Sequence, residues 1–184
     1  MEEPEPTTIR AAAKGDPAAF ERLVRSHQAP VFRFLRHLVG DRTAAEDLTQ
    51  ETFLRLYRNL GSFRFQAKFT TWLFQVARNA ATDELRRAQR RARLLELAPA
   101  PGPPSAPDDR VELRAALAAL PVAMREPLVL VEVFGFTYVE VAAVLDVPVG
   151  TVKSRVFHAR QRLHAWRQDH GEGDRAERGA TDEV

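Results

Sequence analysis

The distribution of proline constrains the fold of this chain more than any other feature. No proline occurs over residues 31–98, and five prolines then crowd into residues 99–107. Proline fixes φ and lacks an N–H, so such a stretch is extended and stiff, with a reach of roughly 40 Å at about 3.1 Å per residue. Residues 96–110 are therefore predicted to be a Pro-rich linker between an N-terminal unit, 9–95, and a C-terminal unit, 111–168.

Both units are predicted to be all-α, because apolar residues recur at spacings of three and four and alternating β-branched residues are absent. The first apolar stripe ends near Gly40, and Pro30 is expected to kink or divide its helix. Thr43 and Glu46 have capping-box spacing, which predicts a second helix that runs to Leu60. A third helix is expected to start at Thr70 or Thr71 and to run into an arginine cluster at 86–93.

In the C-terminal unit, one helix is predicted to end before Pro121 and another to span about 125–134. Thr137 and Glu140 form a second capping box, and residues 146–149 are expected to turn into a final helix. Two helices joined by a short turn, with a polar outer face on the second, are typical of a helix-turn-helix.

The final helix, over 147–163, divides into three surfaces when it is plotted at 100° per residue. Its core stripe is Val152, Val156, Ala159 and Leu163. Cations flank that stripe, and a polar face with Phe157 lies opposite, an arrangement that suits the major groove of DNA. A solvated basic surface is the alternative, and the outward Phe157 favours DNA. The candidate DNA-binding residues are Thr151, Lys153, Ser154, Arg155, Phe157, His158, Arg160, Gln161 and Arg162.

Two further surfaces lie in the N-terminal unit. On the second helix, an exposed face of polar residues around one leucine suits a partner helix, although a solvated face is the alternative. Its members are Asp47, Gln50, Glu51 and Leu54. Next, aromatic and cationic residues alternate on a loop and continue onto the third helix, which suits an unstacked base and a nearby phosphate. These residues are Phe63, Arg64, Phe65, Lys68, Trp72, Gln75, Asn79 and Arg86; the alternative for the aromatic residues is core packing, which is favoured for Phe69.

Composition excludes several classes of function. The chain has no cysteine and a formal net charge of only +2, so nucleic-acid affinity must come from local clusters of basic residues. The five histidines have no metal-ligand spacing with carboxylates, and no catalytic residues, metal site or cofactor site are expected. The acidic first residues do not resemble a signal peptide, and no apolar run has membrane-spanning length, so we expect a cytoplasmic protein without direct membrane contact. Residues 169–184 are acidic and predicted to be disordered.

Three stretches together resemble bacterial RNA polymerase sigma factors of the extracytoplasmic-function (ECF) type. They are AEDLTQETFLRLY (45–57), FRFQAKFTTWLFQVARNAATDELRR (63–87) and the stretch from LPVAMREPL to HARQRL (120–163). The resemblance implies that Asp47, Gln50 and Glu51 dock on the coiled coil of the polymerase beta-prime clamp. It also implies that the chain makes a second contact with the polymerase, at the beta flap. It also implies that the aromatic loop holds a flipped base, with Asn79 at a position that reads the minus-ten element.

For the C-terminal helix, the resemblance implies that Lys153, Ser154, Phe157 and His158 read the minus-thirty-five element. Asp146 stands where the family usually has glycine, but aspartate tolerates the left-handed conformation. His158 stands where arginine is frequent, which affects the promoter sequence more than the fold.

The leading hypothesis is a promoter-specificity subunit that joins core RNA polymerase and is controlled by an anti-sigma factor. The alternative is a self-sufficient DNA-binding regulator that uses the helix-turn-helix, with the first unit as a sensor or dimerisation domain. An enzyme with a regulatory helix-turn-helix lacks candidate catalytic residues.

Overall fold

The structure, a computed structural model, describes residues 2–94 and 115–179, and all regular structure in those ranges is helical. The predicted linker, 96–110, lies outside the described residues, as do residues 180–184 of the predicted tail. The helices are α1 (Pro6–Ala13), α2 (Pro17–Val39), α3 (Arg42–Asn59), α4 (Phe69–Leu94), α5 (115–119), α6 (Val122–Glu132), α7 (Tyr138–Leu145) and α8 (Val149–Gly179), with a 3₁₀ turn at Leu60–Ser62. The prediction of an all-α fold is confirmed.

Helix α2 is continuous through Pro30, which therefore does not divide it. The carboxylate of Asp16 caps its start by accepting hydrogen bonds from the N–H groups of Ala18 (2.9 Å) and Ala19 (3.2 Å). Val31 and Phe34, just beyond the proline, are fully buried. Their burial stabilises the helical path, and this outweighs the one backbone donor that Pro30 lacks. The helix ends at Gly40, whose φ of 77° is the left-handed conformation that glycine adopts readily.

Helix α3 begins two residues before the position that the predicted capping box assigned to it. The carboxylate of Asp41 accepts a hydrogen bond from the N–H of Ala44 at 2.8 Å, so Asp41 is the N-cap and Thr43 lies in the first turn. Glu46 instead pairs with Arg42 at 2.8 Å. The capping-box prediction was wrong because aspartate two residues upstream is at least as good a cap as threonine.

Helix α4 is capped by a residue from the other end of its unit. Glu3 accepts hydrogen bonds from the N–H of Phe69, from the N–H of Thr70 at 3.2 Å and from Thr70 Oγ1 at 2.8 Å. The carboxylate satisfies backbone donors that have no partner within the helix and lies at its positive end. Its start at Phe69 is one residue earlier than predicted.

In the C-terminal unit, α6 begins at Val122, directly after Pro121, which is earlier than predicted. The capping box of Thr137 and Glu140 is confirmed, with the Thr137 N–H donating to Glu140 Oε2 at 2.8 Å. Asp146 has a φ of 53°, the left-handed conformation expected at this turn. Helices α7 and α8 flank the turn and form the predicted helix-turn-helix. The backbone of α8 is helical as far as Gly179, whereas disorder was predicted from residue 169; this stretch contains no proline to end the helix.

The two units share one apolar core, in which Phe134 and Phe136 of the C-terminal unit contact Phe74 of α4 at ring-centroid distances of 5.2 and 5.1 Å. Beside this cluster, Arg125 Nη1 donates to the carbonyl oxygen of Leu38 at 3.0 Å, at the end of α2. Its Nη2 donates to carbonyl oxygens near α5, including that of Leu120 at 2.8 Å. The described parts of the two units are therefore packed together.

Candidate nucleic-acid interface

The side chains of α8 have the orientation that the helical plot predicts. Val152, Val156 and Ala159 are buried, and Leu163 is half-buried. On the outer side, Phe157 is 56 % exposed and its ring lies edge-on to that of His158, with centroids 5.4 Å apart. The other predicted residues are exposed, except Thr151 and Arg155, which are half-buried; the exposed set comprises Lys153, Ser154, His158, Arg160, Gln161 and Arg162. The outer face is therefore available to a ligand.

One predicted DNA-binding residue on α8, Arg160, is engaged within the protein. Arg160 Nε donates to Glu132 Oε1 at 3.1 Å, which connects α8 to the end of α6. This bond raises the pKa of the Arg160 guanidinium. Both side chains are about half exposed, so the pair is worth little in free energy and Arg160 can exchange Glu132 for a phosphate.

The predicted docking face on α3 is also exposed. Asp47 and Gln50 are exposed, Leu54 is 51 % exposed, and Glu51 is half-buried beside them. Tyr57, which the sequence analysis did not select, extends this surface with 58 % exposure. The face therefore has an apolar centre and an acidic edge.

Arg55, also not selected, determines the geometry of the acidic edge. Its Nε donates to Glu51 Oε1 at 2.7 Å and its Nη1 to Asp83 Oδ2 on α4 at 3.2 Å. The hydrogen bond from Arg55 lowers the pKa of Glu51. The spacing of four residues between Glu51 and Arg55 was the available signal. Asp83 lies 28 residues away from Arg55, so no local pattern could reveal that contact.

The aromatic loop is partly packed and partly exposed, which is compatible with both predicted roles of its aromatic residues, base binding and core packing. Phe69 is fully buried, whereas Phe65 is 42 % exposed. Phe63 is half-buried, with its ring centroid 4.8 Å from that of Phe65 and 5.2 Å from that of Trp72. The guanidinium of Arg10 lies 5.0 Å from the centre of the Phe65 ring, which a cation–π contact stabilises. Arg64 is exposed beside them.

Helix α4 continues this surface. Gln75 and Trp72 are half-buried, and Asn79 and Arg86 are exposed. At the start of the helix, Lys68 Nζ lies 2.7 Å from Glu140 Oε1 on α7. The C-terminal unit therefore contacts the predicted minus-ten surface, a contact that the sequence alone did not predict.

Comparison with known proteins decides the family. Residues 23–91 match the family Sigma-70 region 2, and residues 110–163 match Sigma-70, region 4. The ECF RNA polymerase sigma factor SigC of Mycobacterium tuberculosis is 37% identical over 161 residues, covering 84% of this chain and 86% of that protein. The chain belongs to the ECF RNA polymerase sigma factors. Members of this family are promoter-specificity subunits that direct RNA polymerase in transcription initiation.

Two solved structures resemble this sigma factor. The sigma factor RpoE of Bartonella quintana, in complex with the anti-sigma factor NepR, has a TM-score of 0.71 and 27% identity, with 81% of this chain and 96% of that chain covered. CnrH in complex with the cytosolic domain of CnrY has a TM-score of 0.70 and 30% identity, with 89% and 97% covered. Both likenesses extend over the two units.

The region 2 match of this sigma factor contains α3 and most of α4, and the region 4 match contains α7, the turn and the first half of α8. Within the residues that the structure describes, no group of acidic or histidine side chains is arranged to hold a metal ion. Among those residues, no helix has both the length and the apolar character needed to cross a membrane.

Proposed function

We propose that this sigma factor binds core RNA polymerase through α3, reads the minus-ten element with the aromatic loop and α4, and reads the minus-thirty-five element with the outer face of α8. The proposal rests mainly on the exposed face of α3, the candidate surface for polymerase binding. A half-exposed leucine, Leu54, lies among Asp47, Gln50 and Glu51 on a helix whose opposite side is buried. An apolar centre with a polar rim is typical of protein–protein contacts.

The partner of this face is proposed to be the coiled coil of the beta-prime clamp, and the C-terminal unit is proposed to contact the beta flap. The carboxylates of Asp47 and Glu51 suit basic side chains on a helical partner. The pKa of Glu51 is lowered by its hydrogen bond with Arg55, so this carboxylate is ionised near neutral pH and available for such contacts.

On the DNA, Phe63 and Phe65 offer aromatic surfaces to a base that has left the stack, and Arg64 and Lys68 offer charge to its backbone. Trp72 borders this surface, where it can wedge against the last paired base. Gln75, Asn79 and Arg86 extend it along α4. The polymerase carries out the chemistry, and we infer that this chain, acting in the cytoplasm, contributes no active site.

Simultaneous use of both DNA surfaces requires the two units to separate. The two elements lie about 25 base pairs apart, which is roughly 85 Å at about 3.4 Å per base pair. A compact body of about 160 residues has a radius of gyration of roughly 15 Å. The packed arrangement is therefore too small to reach both elements, and the predicted linker at 96–110 would connect the separated units.

Control by an anti-sigma factor is proposed from the similar structure of RpoE, because that sigma factor is bound to the anti-sigma factor NepR. The packed units of this chain resemble that protein over most of its length. An anti-sigma factor that holds the units together would prevent contact with both promoter elements.

Charge reversal on α3 tests the proposal. Asp47→Lys combined with Glu51→Lys should weaken binding to core polymerase at least tenfold, or about 1.4 kcal/mol, since two acidic contacts become repulsive. A competition assay against a labelled sigma factor measures this affinity. Glu2→Lys with Glu21→Lys is the matched control, because it makes the same change of charge at exposed positions that lie outside α3.

The control should compete like the unmodified chain, and both variants should retain their helical circular dichroism. Normal competition by the Asp47 and Glu51 variant would contradict the docking assignment. Failure of the unmodified chain itself to compete would instead favour the regulator that binds DNA without polymerase.

A further inference from the structure

Two acidic residues of the C-terminal unit contact cations of region 2 along the predicted minus-ten surface. Glu140 on α7 pairs with Lys68 at 2.7 Å, and Glu126 on α6 lies with its Oε1 atom 3.5 Å from Arg78 Nε. Lys68 is already a predicted DNA contact. Arg78 was not selected from the sequence because it lies between the buried Ala77 and the exposed Asn79 in a helix rich in arginine.

Arg78 lies on the same side of α4 as the predicted minus-ten residues. It is three residues from Gln75 and four from Thr82, and these spacings place side chains on one helical face. Thr82 Oγ1 donates to the backbone oxygen of Arg78 at 2.9 Å, so the two residues are adjacent on that face. Arg78 therefore borders the surface formed by Gln75 and Asn79.

The contact between Arg78 and Glu126 is a poor ion pair. Its distance of 3.5 Å is long for a charge-assisted hydrogen bond, and the buried Nε of Arg78 has no hydrogen-bond partner within the described part of the chain. The Glu126 side chain is only 5% exposed. Burial raises the pKa of Glu126, although Arg78, Arg155 and Arg125 all act to lower it. Desolvation of this carboxylate is therefore incompletely offset in the packed arrangement.

Separation of the units would improve the surroundings of both groups. Glu126 would regain water, and the guanidinium of Arg78 would be free to bind an anion through two parallel hydrogen bonds. The anion nearest to this face in the proposed promoter complex is a phosphate of the single-stranded minus-ten DNA. In the packed arrangement, the Glu126 carboxylate would thus occupy the position beside Arg78 that a DNA phosphate takes when the units are separated.

We propose that Arg78 is a further DNA-binding residue of this sigma factor, which binds a backbone phosphate of the minus-ten strand and is covered by Glu126 while the units are packed together. The proposal rests on the proposed function of α4. Arg78 should therefore increase the affinity for DNA without any base preference, because phosphates carry no sequence information. Lys68, which pairs with Glu140 but stays largely exposed, is the second member of this set.

The salt dependence of DNA binding tests the proposal. Holoenzyme assembled from core polymerase and the full chain is titrated with labelled single-stranded minus-ten DNA over a series of salt concentrations. Arg78→Gln should reduce affinity about five- to tenfold at low salt and reduce the slope of log K against log salt by about 0.7, the value for one phosphate on a single strand. Arg78→Lys, which keeps the charge, should retain most of the slope.

Arg25→Gln is the matched control, because Arg25 is an exposed arginine of α2 that pairs with Glu21 on its own helix. It should change neither affinity nor slope, and Arg78→Gln should assemble with core polymerase normally. An unchanged slope for Arg78→Gln would overturn the proposal, whether or not affinity falls, because a purely structural role would alter affinity alone. If holoenzyme with the unmodified chain binds the strand no better than core polymerase does, the proposed function itself fails.

Discussion

At the scale of single residues, the outer face of α8 combines an exposed aromatic ring with polar and cationic side chains. Phe157 and His158 contact each other, and Ser154 and Gln161 flank them on the exposed side. Aromatic and imidazole groups differ from arginine in what they can recognise. Imidazole cannot make the two-pronged contact with guanine that a guanidinium makes. The identity of residue 158 should therefore affect which promoters this sigma factor selects.

The substitution His158→Arg should shift the preference of the sigma factor toward guanine at one base pair of the minus-thirty-five element. A good bidentate contact discriminates by about 1–3 kcal/mol, whereas His158 should discriminate less. Selection of holoenzyme on randomised upstream elements measures this preference. Lys153→Ala should weaken binding to the element, and Arg162→Ala should cost affinity evenly across sequences, as a phosphate contact would.

His164→Arg is the matched control, since it makes the same substitution at an exposed position six residues further along the helix. It should leave the selected sequence unchanged. If the unmodified chain and His158→Arg select the same sequence, His158 does not face a base.

At the scale of elements, the sequence was most informative where the determinants of a helix are local. The capping box at Thr137, the left-handed turn at Asp146 and the buried stripe of α8 all follow from residues within one or two helical turns. The start of α3 was misplaced because two candidate caps lie two residues apart, and Asp41 rather than Thr43 forms the cap. Helix periodicity therefore predicts faces better than it predicts boundaries.

Contacts between distant elements could not be predicted in this way. Glu3 caps α4 from 66 residues away, and Arg125 joins the end of α2 from 87 residues away. Helical spacing indicates which side of an element is buried, but not which element covers it. The docking and DNA-binding residues were found because they lie on exposed faces, whereas Arg55 and Arg78 were missed because each has a partner on another helix, Asp83 and Glu126 respectively.

At the scale of the whole molecule, packing of the two units should depend on pH through Glu126. Burial raises the pKa of its carboxyl above the ordinary value of 4.5, so the packed form binds a proton more tightly than the separated form. Glu126 therefore contributes most to the packing below pH 4.5, and its contribution falls as the pH rises through its raised pKa. Arg78, Arg125 and Arg155 oppose this shift without cancelling it.

Small-angle X-ray scattering of the free chain should show a larger radius of gyration at neutral pH than in mild acid. Glu126→Gln, which keeps the shape without the charge, should stay compact over the same range. The matched control is Glu21→Gln, at an exposed position on α2, and it should behave like the unmodified chain. An identical pH dependence in Glu126→Gln would show that another group governs the packing.

Reconstituted transcription from a library of randomised promoters tests most directly whether this chain confers promoter specificity on polymerase. Core polymerase with the chain should select transcripts from templates that share two short elements at a fixed separation, and core polymerase alone should select none. The free chain should bind duplex DNA weakly and with strong salt dependence, because its basic clusters are small and local. Two results together would contradict promoter specificity through polymerase. Transcription would be no more selective than with core polymerase alone, and the free chain would bind one duplex site tightly at physiological salt.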